Sequence, residues 1–157
     1  LKQKYKNIIP TSAESEIALK KAEEKKLINY YIGNSFEIIG NLDAAQKKAL
    51  EFIKREVIDK FGSTGVQECL NKAVFEILDY IAVYPVADAN KLTDTSSSIL
   101  PDTFLIPKGT NLKEFAFKIH TDIGERFIGG LDARTKKKLS AEYILKNKDV
   151  VEILFRR

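Results

Sequence analysis

The sequence lacks methionine and tryptophan and has one cysteine and one histidine. Cys69 therefore has no internal disulfide partner, and a zinc site built on Cys69 and His120 would need two oxygen ligands from elsewhere. We expect no metal site. Because the chain starts at Leu1 and contains no methionine, we also expect it to be a fragment of a longer protein.

Long apolar runs are missing as well. No stretch approaches the roughly 18–20 residues that a membrane-spanning helix needs, and no charged-then-apolar leader opens the chain. We therefore expect a soluble, cytoplasmic protein with no membrane partner. Its 44% hydrophobic and 31% charged residues exclude a disordered or low-complexity chain. A length of 157 residues suits one medium domain or two small ones.

Positive charge is concentrated in the C-terminal part. Residues 1–90 carry 13 Lys/Arg and 13 Asp/Glu, whereas residues 91–157 carry 13 and 9, so the net charge of +4 arises there. A local excess of this size permits contact with nucleic-acid phosphates without demanding it.

The N-terminal half predicts helices. Thr11 and Glu14 have the spacing of a capping box, which predicts a helix from there to about Leu27. The tract 30–40 mixes aromatic residues with glycines, and it predicts a loop with at most a short strand.

Two stronger helices are predicted over about 43–60 and 64–80. Each has apolar residues at three- and four-residue spacing on one side, so we expect a helical hairpin. Their stripes are Leu50, Ile53, Val57 and Phe61 in the first helix, and Val66, Leu70, Val74, Ile77 and Ile81 in the second.

The loop between these two helices begins with Gly62, which is placed to end the first helix. Thr64 and Gln67 have capping-box spacing for the second helix. An anion site on the glycine-flanked loop 62–65 is the alternative to a plain cap. Within the second helix, Cys69 is expected to be a buried or half-buried apolar residue.

The hydrophobic period changes after residue 80. Strands are predicted over 81–86 and 103–106, which should pair, with a Ser/Thr-rich stretch ending at Pro101 between them. A helix capped by Asn111 and Glu114 follows, with Gly124 placed to end it. The remaining predicted elements are a strand around 126–128, a basic turn over 134–138 and a strand over 150–155.

A helix that follows a hairpin and crosses one face of a mixed sheet indicates a β-grasp arrangement. The expected fold class is α+β, with a helical hairpin segment followed by a β-grasp domain. No phosphate-binding loop, dinucleotide motif or nucleophile elbow is present, and one histidine leaves little scope for acid-base schemes. We therefore predict no catalytic residue.

Two stretches of the sequence resemble known families. Residues 100–110, Leu-Pro-Asp-Thr-Phe-Leu-Ile-Pro-Lys-Gly-Thr, and residues 115–124, Phe-Ala-Phe-Lys-Ile-His-Thr-Asp-Ile-Gly, resemble a TGS domain. This is a β-grasp module of threonyl-tRNA synthetase, certain GTPases and stringent-response synthetases. Residues 61–75, Phe-Gly-Ser-Thr-Gly-Val-Gln-Glu-Cys-Leu-Asn-Lys-Ala-Val-Phe, with 83–86 and 90–94, are similar to Obg-like GTPases of the archaeal and fungal branch.

The resemblance implies three parts: the tail of a GTPase domain over 1–16, a helical segment over 17–80 and a TGS domain over 81–157. Residues 9–14 resemble the last guanine motif, in which Ser12 and Ala13 touch the base. The phosphate loop, magnesium ligands and Asn-Lys-x-Asp motif would precede Leu1. GTP and magnesium are therefore expected for the full-length parent, and the chain alone should neither hydrolyse GTP nor bind it tightly.

The TGS resemblance also suggests RNA contacts. In stringent-response enzymes, a His-Thr pair similar to His120 and Thr121 lies on the domain that meets the tRNA acceptor end. The structural alternative is that His120 bonds free carbonyls in the last helical turn. Further candidates for RNA contact are the basic turn residues Arg134, Lys136, Lys137 and Lys138, flanked by Lys108, Lys113 and Lys118.

A lysine-rich turn also serves solubility alone, so three functions remain open. In one of them, catalysis belongs to the whole protein and this chain only completes its guanine pocket. The leading hypothesis is a non-catalytic region of a translation-linked Obg-like GTPase that binds the ribosome or structured RNA, but not DNA. The alternative is a protein-docking β-grasp module that regulates its own GTPase domain without RNA. Gly129 and Gly130 depart from the pattern of the family that the sequence resembles, whose members often carry bulkier residues here. The two glycines either weaken a strand or admit close approach by another backbone.

Overall fold

The computed structural model describes residues 8–93, 98–99 and 102–156, and the chain divides into two compact units between Ala73 and Val74. Most of the predicted Ser/Thr-rich stretch before Pro101 lies outside these residues. None of the helices in the described part of the chain has the length and apolar character needed to span a bilayer.

The first unit combines helices with a two-stranded hairpin. Its elements are α1 (Ala13–Glu24), β1 (Ile28–Tyr30), β2 (Phe36–Ile38), α2 (Ala44–Ile53), α3 (Asp59–Phe61) and α4 (Val66–Asn71). A π-helical stretch, Lys54–Ile58, joins α2 to α3. A second one, Lys72–Ile77, follows α4 and continues into the residues of the second unit. Strands β1 and β2 pair antiparallel, so the tract predicted mainly as a loop is a hairpin.

The core of the first unit lies between α1, the hairpin and the helix that begins with α2. Its buried residues are Leu19, Ile28, Tyr30, Phe36, Leu50, Ile53 and Ile58. No residue of α4 belongs to this cluster, and Leu70 and Ile77 of the predicted second stripe are exposed. Cys69 is also exposed, so its predicted burial is wrong.

Two of the predicted helix caps are wrong. Ser12 is the N-cap of α1, and its hydroxyl donates to Ser15 Oγ at 2.8 Å, so the box of Thr11 and Glu14 does not form. Gly65 is the N-cap of α4, and no side chain caps that helix. Gly62, at φ +85°, ends α3 as predicted.

The second unit is a mixed five-stranded sheet with two short helices. Its elements are β3 (Tyr80–Val86), β4 (Phe104–Pro107), α5 (Leu112–Ile119), α6 (Thr121–Glu125), β5 (Phe127–Asp132), β6 (Lys138–Leu139) and β7 (Asp149–Phe155). The strand order is β4-β3-β7-β5-β6, with β3 parallel to β7 and the other pairs antiparallel. The predicted pairing of β3 with β4, the β-grasp and the α+β class are confirmed.

Helix α5 begins as its sequence predicts. The side chain of Asn111 accepts from the Glu114 N–H at 2.9 Å, and the Glu114 carboxylate accepts from the Asn111 N–H at 3.2 Å, which forms a capping box. Leu112 and Phe115 are fully buried. The helix ends at Ile119, because His120 has an extended backbone conformation. The predicted end at Gly124 is therefore wrong, and that glycine lies in α6.

Gly130 allows α5 to pack closely on β5. A Cβ atom at this position would lie 2.6 Å from Leu112 Cδ2 and 3.2 Å from the Glu152 carbonyl oxygen. The close approach predicted as one role of the glycine pair is therefore found at Gly130. Strand β5 also has a bulge between Phe127 and Gly129.

Candidate functional site

The Ser-Ala loop (residues 9–13) leads directly into α1. Ser12 is the N-cap and Ala13 is the first residue of the helix. The first N–H groups of a helix have no acceptor inside the helix, and they carry the positive end of its dipole. The Ala13 N–H is therefore suited to donate to a carbonyl oxygen of a ligand, such as O6 of guanine.

A second loop holds the Ser-Ala loop in place. The Ser12 N–H donates to the Thr64 carbonyl oxygen at 2.8 Å. Gly65, at φ +76°, lies so close to Pro10 that any Cβ at this position would overlap the Pro10 carbonyl oxygen. The main chain before α1 and the main chain before α4 are thus packed directly against each other.

The carboxylate of Glu16 connects the same loop to the core. Glu16 is buried, and its Oε2 accepts from the Tyr30 hydroxyl at 2.6 Å and from the Thr64 hydroxyl at 2.5 Å. Lys20 Nζ lies 3.9 Å from Oε1. Burial, followed by the hydrogen bond to Glu16, raises the pKa of Tyr30 above its usual value.

The glycine-flanked loop over 62–65 offers little to a phosphate or a metal. The Gly65 N–H donates to Ser63 Oγ at 3.1 Å and the Gly62 N–H to the Ile58 carbonyl at 2.8 Å, so the loop does not present these groups to an anion. Within residues 8–93, 98–99 and 102–156, no group of three or more His, Cys, Asp or Glu side chains could hold a metal ion. GTP phosphates and magnesium would need residues other than these.

The basic turn joins β5 to the edge strand β6, and Lys138 is the first residue of β6. The sequence predicted that the turn lies between the strands around 126–128 and over 150–155, so it missed β6. Asp132 Oδ1 accepts from the Thr135 N–H at 2.7 Å and from the Arg134 N–H at 2.8 Å, which fixes the turn. The hydrogen bond from the Thr135 N–H is the main reason that the pKa of Asp132 lies below its usual value.

Two of the four cationic side chains in the turn bind the protein's own main chain. Arg134 Nη2 donates to the Lys148 carbonyl at 3.1 Å, and Lys136 Nζ donates to the Ala89 carbonyl at 2.7 Å. All four residues are exposed, and among the described contacts the side chains of Lys137 and Lys138 make no such bond. The sequence did not show which cationic side chains of the turn bind main-chain carbonyls, because the carbonyls that accept these bonds are distant along the chain.

The other predicted lysines fall at two places. The Lys113 N–H donates to the Ala141 carbonyl at 3.2 Å, which brings the start of α5 beside the segment that follows Lys138. Lys118 is exposed further along α5. Lys108 follows β4, the opposite edge strand, and its Nζ lies 3.4 Å from Asp79. The basic edge is therefore defined as Lys113, Lys137 and Lys138.

His120 lies between α5 and α6 and is exposed. Its Nδ1 accepts from the Asp122 N–H at 3.2 Å, so the ring caps the start of α6. The predicted bond to the last carbonyls of α5 is not found among the described contacts. Contact of His120 with RNA remains a prediction.

Replacing His120 with alanine should lower the free energy of unfolding by about 1 kcal/mol, because the cap of α6 is lost. Asparagine is a good cap, so His120→Asn should keep most of the stability. Urea denaturation measures both effects, and RNA affinity is measured in parallel. Equal destabilisation by the two variants would argue against the capping role, and lost RNA affinity with unchanged melting would assign His120 to recognition.

An open pocket of about 720 Å³ lies at the end of the sheet where β7 finishes. Its apolar lining includes Phe104, Ile119 and Ile153, and Asp102 and Glu152 add carboxylates. Sequence reasoning missed this pocket because its walls come from six separate elements, and no short motif encodes them.

Comparison with known proteins gives consistent matches. Residues 1–88 match the family described as "Obg-like GTPase YGR210-like, G4 motif-containing domain", and residues 91–155 match the TGS domain. The chain is 45% identical over 158 residues to an uncharacterized GTP-binding protein of Methanocaldococcus jannaschii, a match that covers 98% of this chain and 40% of the relative. A crystal structure of a GTP binding protein from Pyrococcus horikoshii OT3 matches with a TM-score of 0.70 and 39% identity, over 95% of this chain and 37% of that one.

Proposed function

The chain belongs to the YGR210-like family of Obg-like GTPases and carries a TGS domain, and from this premise we propose a function in two parts. The Ser-Ala loop completes the guanine site of a GTPase, and the TGS domain binds structured RNA of the ribosome through the basic edge. The chain spans about two-fifths of the relatives it matches, so the GTPase activity itself is proposed for the whole protein.

The guanine part is supported by the position of Ala13 at the start of α1. Its N–H suits guanine O6, and the contacts of Ser12 with Thr64 hold the loop before any ligand binds. GTP and magnesium would be bound largely by other parts of the parent, since this loop provides neither a phosphate cradle nor magnesium ligands. The chain alone should therefore bind GTP weakly.

The RNA part is supported by one observation, the hydrogen bond between the main chains of Lys113 and Ala141, a residue that follows Lys138 closely along the chain. The three lysines of the basic edge are exposed. No aromatic residue lies between Arg134 and Lys138 to stack on bases, so phosphate contact would dominate. Discrimination among RNAs would then follow their shape more than their sequence.

The double variant Lys137→Gln/Lys138→Gln should bind ribosomal RNA more weakly than the original chain. Each lost phosphate contact lowers the dependence of log affinity on log salt, so the slope should fall by roughly 1.5 units. Binding is measured by fluorescence anisotropy across a series of salt concentrations. Lys47→Gln/Lys48→Gln, an exposed pair on α2 of the first unit, makes the same charge change outside the TGS domain and should leave the slope near its original value.

If the slope falls equally in both double variants, RNA binding depends on the total charge of the chain and not on a defined site. If neither affinity nor slope changes at Lys137 and Lys138, the RNA proposal fails and the turn is a solvated surface.

Protein docking is the second candidate, and the pocket at the sheet end favours it. Ile128 and Phe155 line this pocket and remain partly exposed, which is typical of a surface that a partner covers. The TGS domain would then bind its own GTPase domain and regulate it. Such an apolar contact would depend weakly on salt, in contrast to RNA binding.

A further inference from the structure

We propose that Glu16 is a positioning residue for guanine recognition: its buried carboxylate holds Thr64, and through it the Ser-Ala loop, at the place where Ala13 meets O6. This inference rests on the proposed guanine function. It adds Glu16 and Thr64 as determinants of affinity, although neither side chain would touch the nucleotide.

Glu16 lies one helical turn after Ser12, and its N–H donates to the Ser12 carbonyl at 3.1 Å. Its side chain reaches the core, where two hydroxyl groups donate to a single oxygen, Oε2. One hydroxyl belongs to Tyr30 of β1 and the other to Thr64, which is 48 residues away along the chain. One carboxylate thus joins three segments of the first unit.

Thr64 binds the start of α1 through two different groups. Its hydroxyl donates to Glu16, and its carbonyl oxygen accepts from the Ser12 N–H at 2.8 Å. Rotation of the Thr64 main chain would therefore break a bond to the Ser-Ala loop directly. The Glu16 carboxylate prevents that rotation because it holds the side chain of the same residue.

Stability alone is a weak explanation for this cluster. A buried carboxylate costs free energy unless its hydrogen bonds compensate, and well-packed apolar side chains often serve a core equally well. What the cluster adds is a fixed geometry: both donors are hydroxyls at short distances from one oxygen. A ligand contact made by a single main-chain N–H, that of Ala13, depends on such a fixed geometry.

The first test measures hydrogen exchange of main-chain amides by NMR in the 157-residue chain, with no nucleotide present. Thr64→Val removes the hydroxyl and keeps the shape, so the Ser12 amide should exchange about tenfold faster. Tyr31→Phe is the matched control, because it removes an exposed hydroxyl that donates to Glu37 at 3.3 Å. It should leave Ser12 unchanged.

The second test uses the intact GTPase and two ligands, GDP and 6-thio-GDP, in which sulfur replaces O6. Sulfur is the weaker acceptor, so the original protein should prefer GDP. Thr64→Val should weaken GDP binding by roughly 5–10-fold and 6-thio-GDP binding by less, which reduces the preference. Thr64→Ser keeps the hydroxyl, so this variant should keep the original preference for GDP over 6-thio-GDP.

The outcomes separate the two proposals. If the original protein binds both ligands equally, the loop does not bind O6, and the guanine part of the proposed function fails. If it prefers GDP while Thr64→Val changes neither the preference nor the Ser12 exchange, the role of Glu16 is overturned and the guanine function stands. Should Thr64→Val fail to fold, Tyr30→Phe removes the other donor and is judged by the same two measurements.

Discussion

Replacing Phe115 with alanine should destabilise the TGS domain by about 3–5 kcal/mol, the usual cost of truncating a buried phenylalanine. Phe115 has no exposed surface, and its ring meets Phe104 edge to face with 5.6 Å between the centroids. The substitution leaves a cavity where α5 packs on the sheet, and it removes the aromatic contact.

Urea denaturation followed by fluorescence and circular dichroism gives the free energy of unfolding. Phe52→Ala is the control, because that ring is 56% exposed and lies in the first unit, and its effect should stay within about 0.5 kcal/mol. A loss below about 1 kcal/mol for Phe115→Ala would contradict the packing of α5 on the sheet.

The TGS half could be predicted from sequence because its signals are local. The capping box of α5 depends on two residues three positions apart, and the buried face of the helix follows the ordinary helical period. Strands β3 and β7 are rich in apolar β-branched residues. Local pattern and final structure agree here except in two places: the predicted single helix is divided into α5 and α6, and the two-residue strand β6 was not predicted.

The helices between residues 44 and 77 were harder to predict because two π-helical stretches change the helical period. The sequence stripe predicted burial of Leu50, Ile53, Val57 and Phe61. The structure buries Leu50, Ile53 and Ile58, while Phe61 is 60% exposed. A π-helical turn has a longer repeat than an α-helical turn, so the next inward position after Ile53 comes five residues later.

The predicted caps failed for a different reason. Thr64 has the right spacing to cap α4, but its hydroxyl binds Glu16 instead. Nothing within a few residues of Thr64 indicates a partner 48 positions away. The family motif predicts a guanine contact at Ser12 and Ala13, whereas only the structure shows the groups that hold this loop in place.

Substitution of Gly65 by alanine should cost about 1–3 kcal/mol more than the same substitution at Gly62. Both glycines have left-handed φ angles, +76° and +85°, so both variants carry similar backbone strain of about 1–2 kcal/mol. A Cβ at Gly62 would meet nothing within 4 Å, whereas at Gly65 it would overlap the Pro10 carbonyl oxygen. The difference between the variants therefore measures the contact with the Ser-Ala loop.

Thermal or urea unfolding of the two variants provides the comparison, and backbone chemical shifts show where the chain moves. Gly65→Ala should shift the signals of Pro10 to Ala13, while Gly62→Ala should perturb the end of α3 alone. Equal destabilisation with no shift in the Ser-Ala loop would mean that the two loops are not in contact. On the proposed guanine function, displacement of the loop in Gly65→Ala should also weaken nucleotide binding in the intact GTPase, because the Ala13 N–H would no longer be in position to donate to the base.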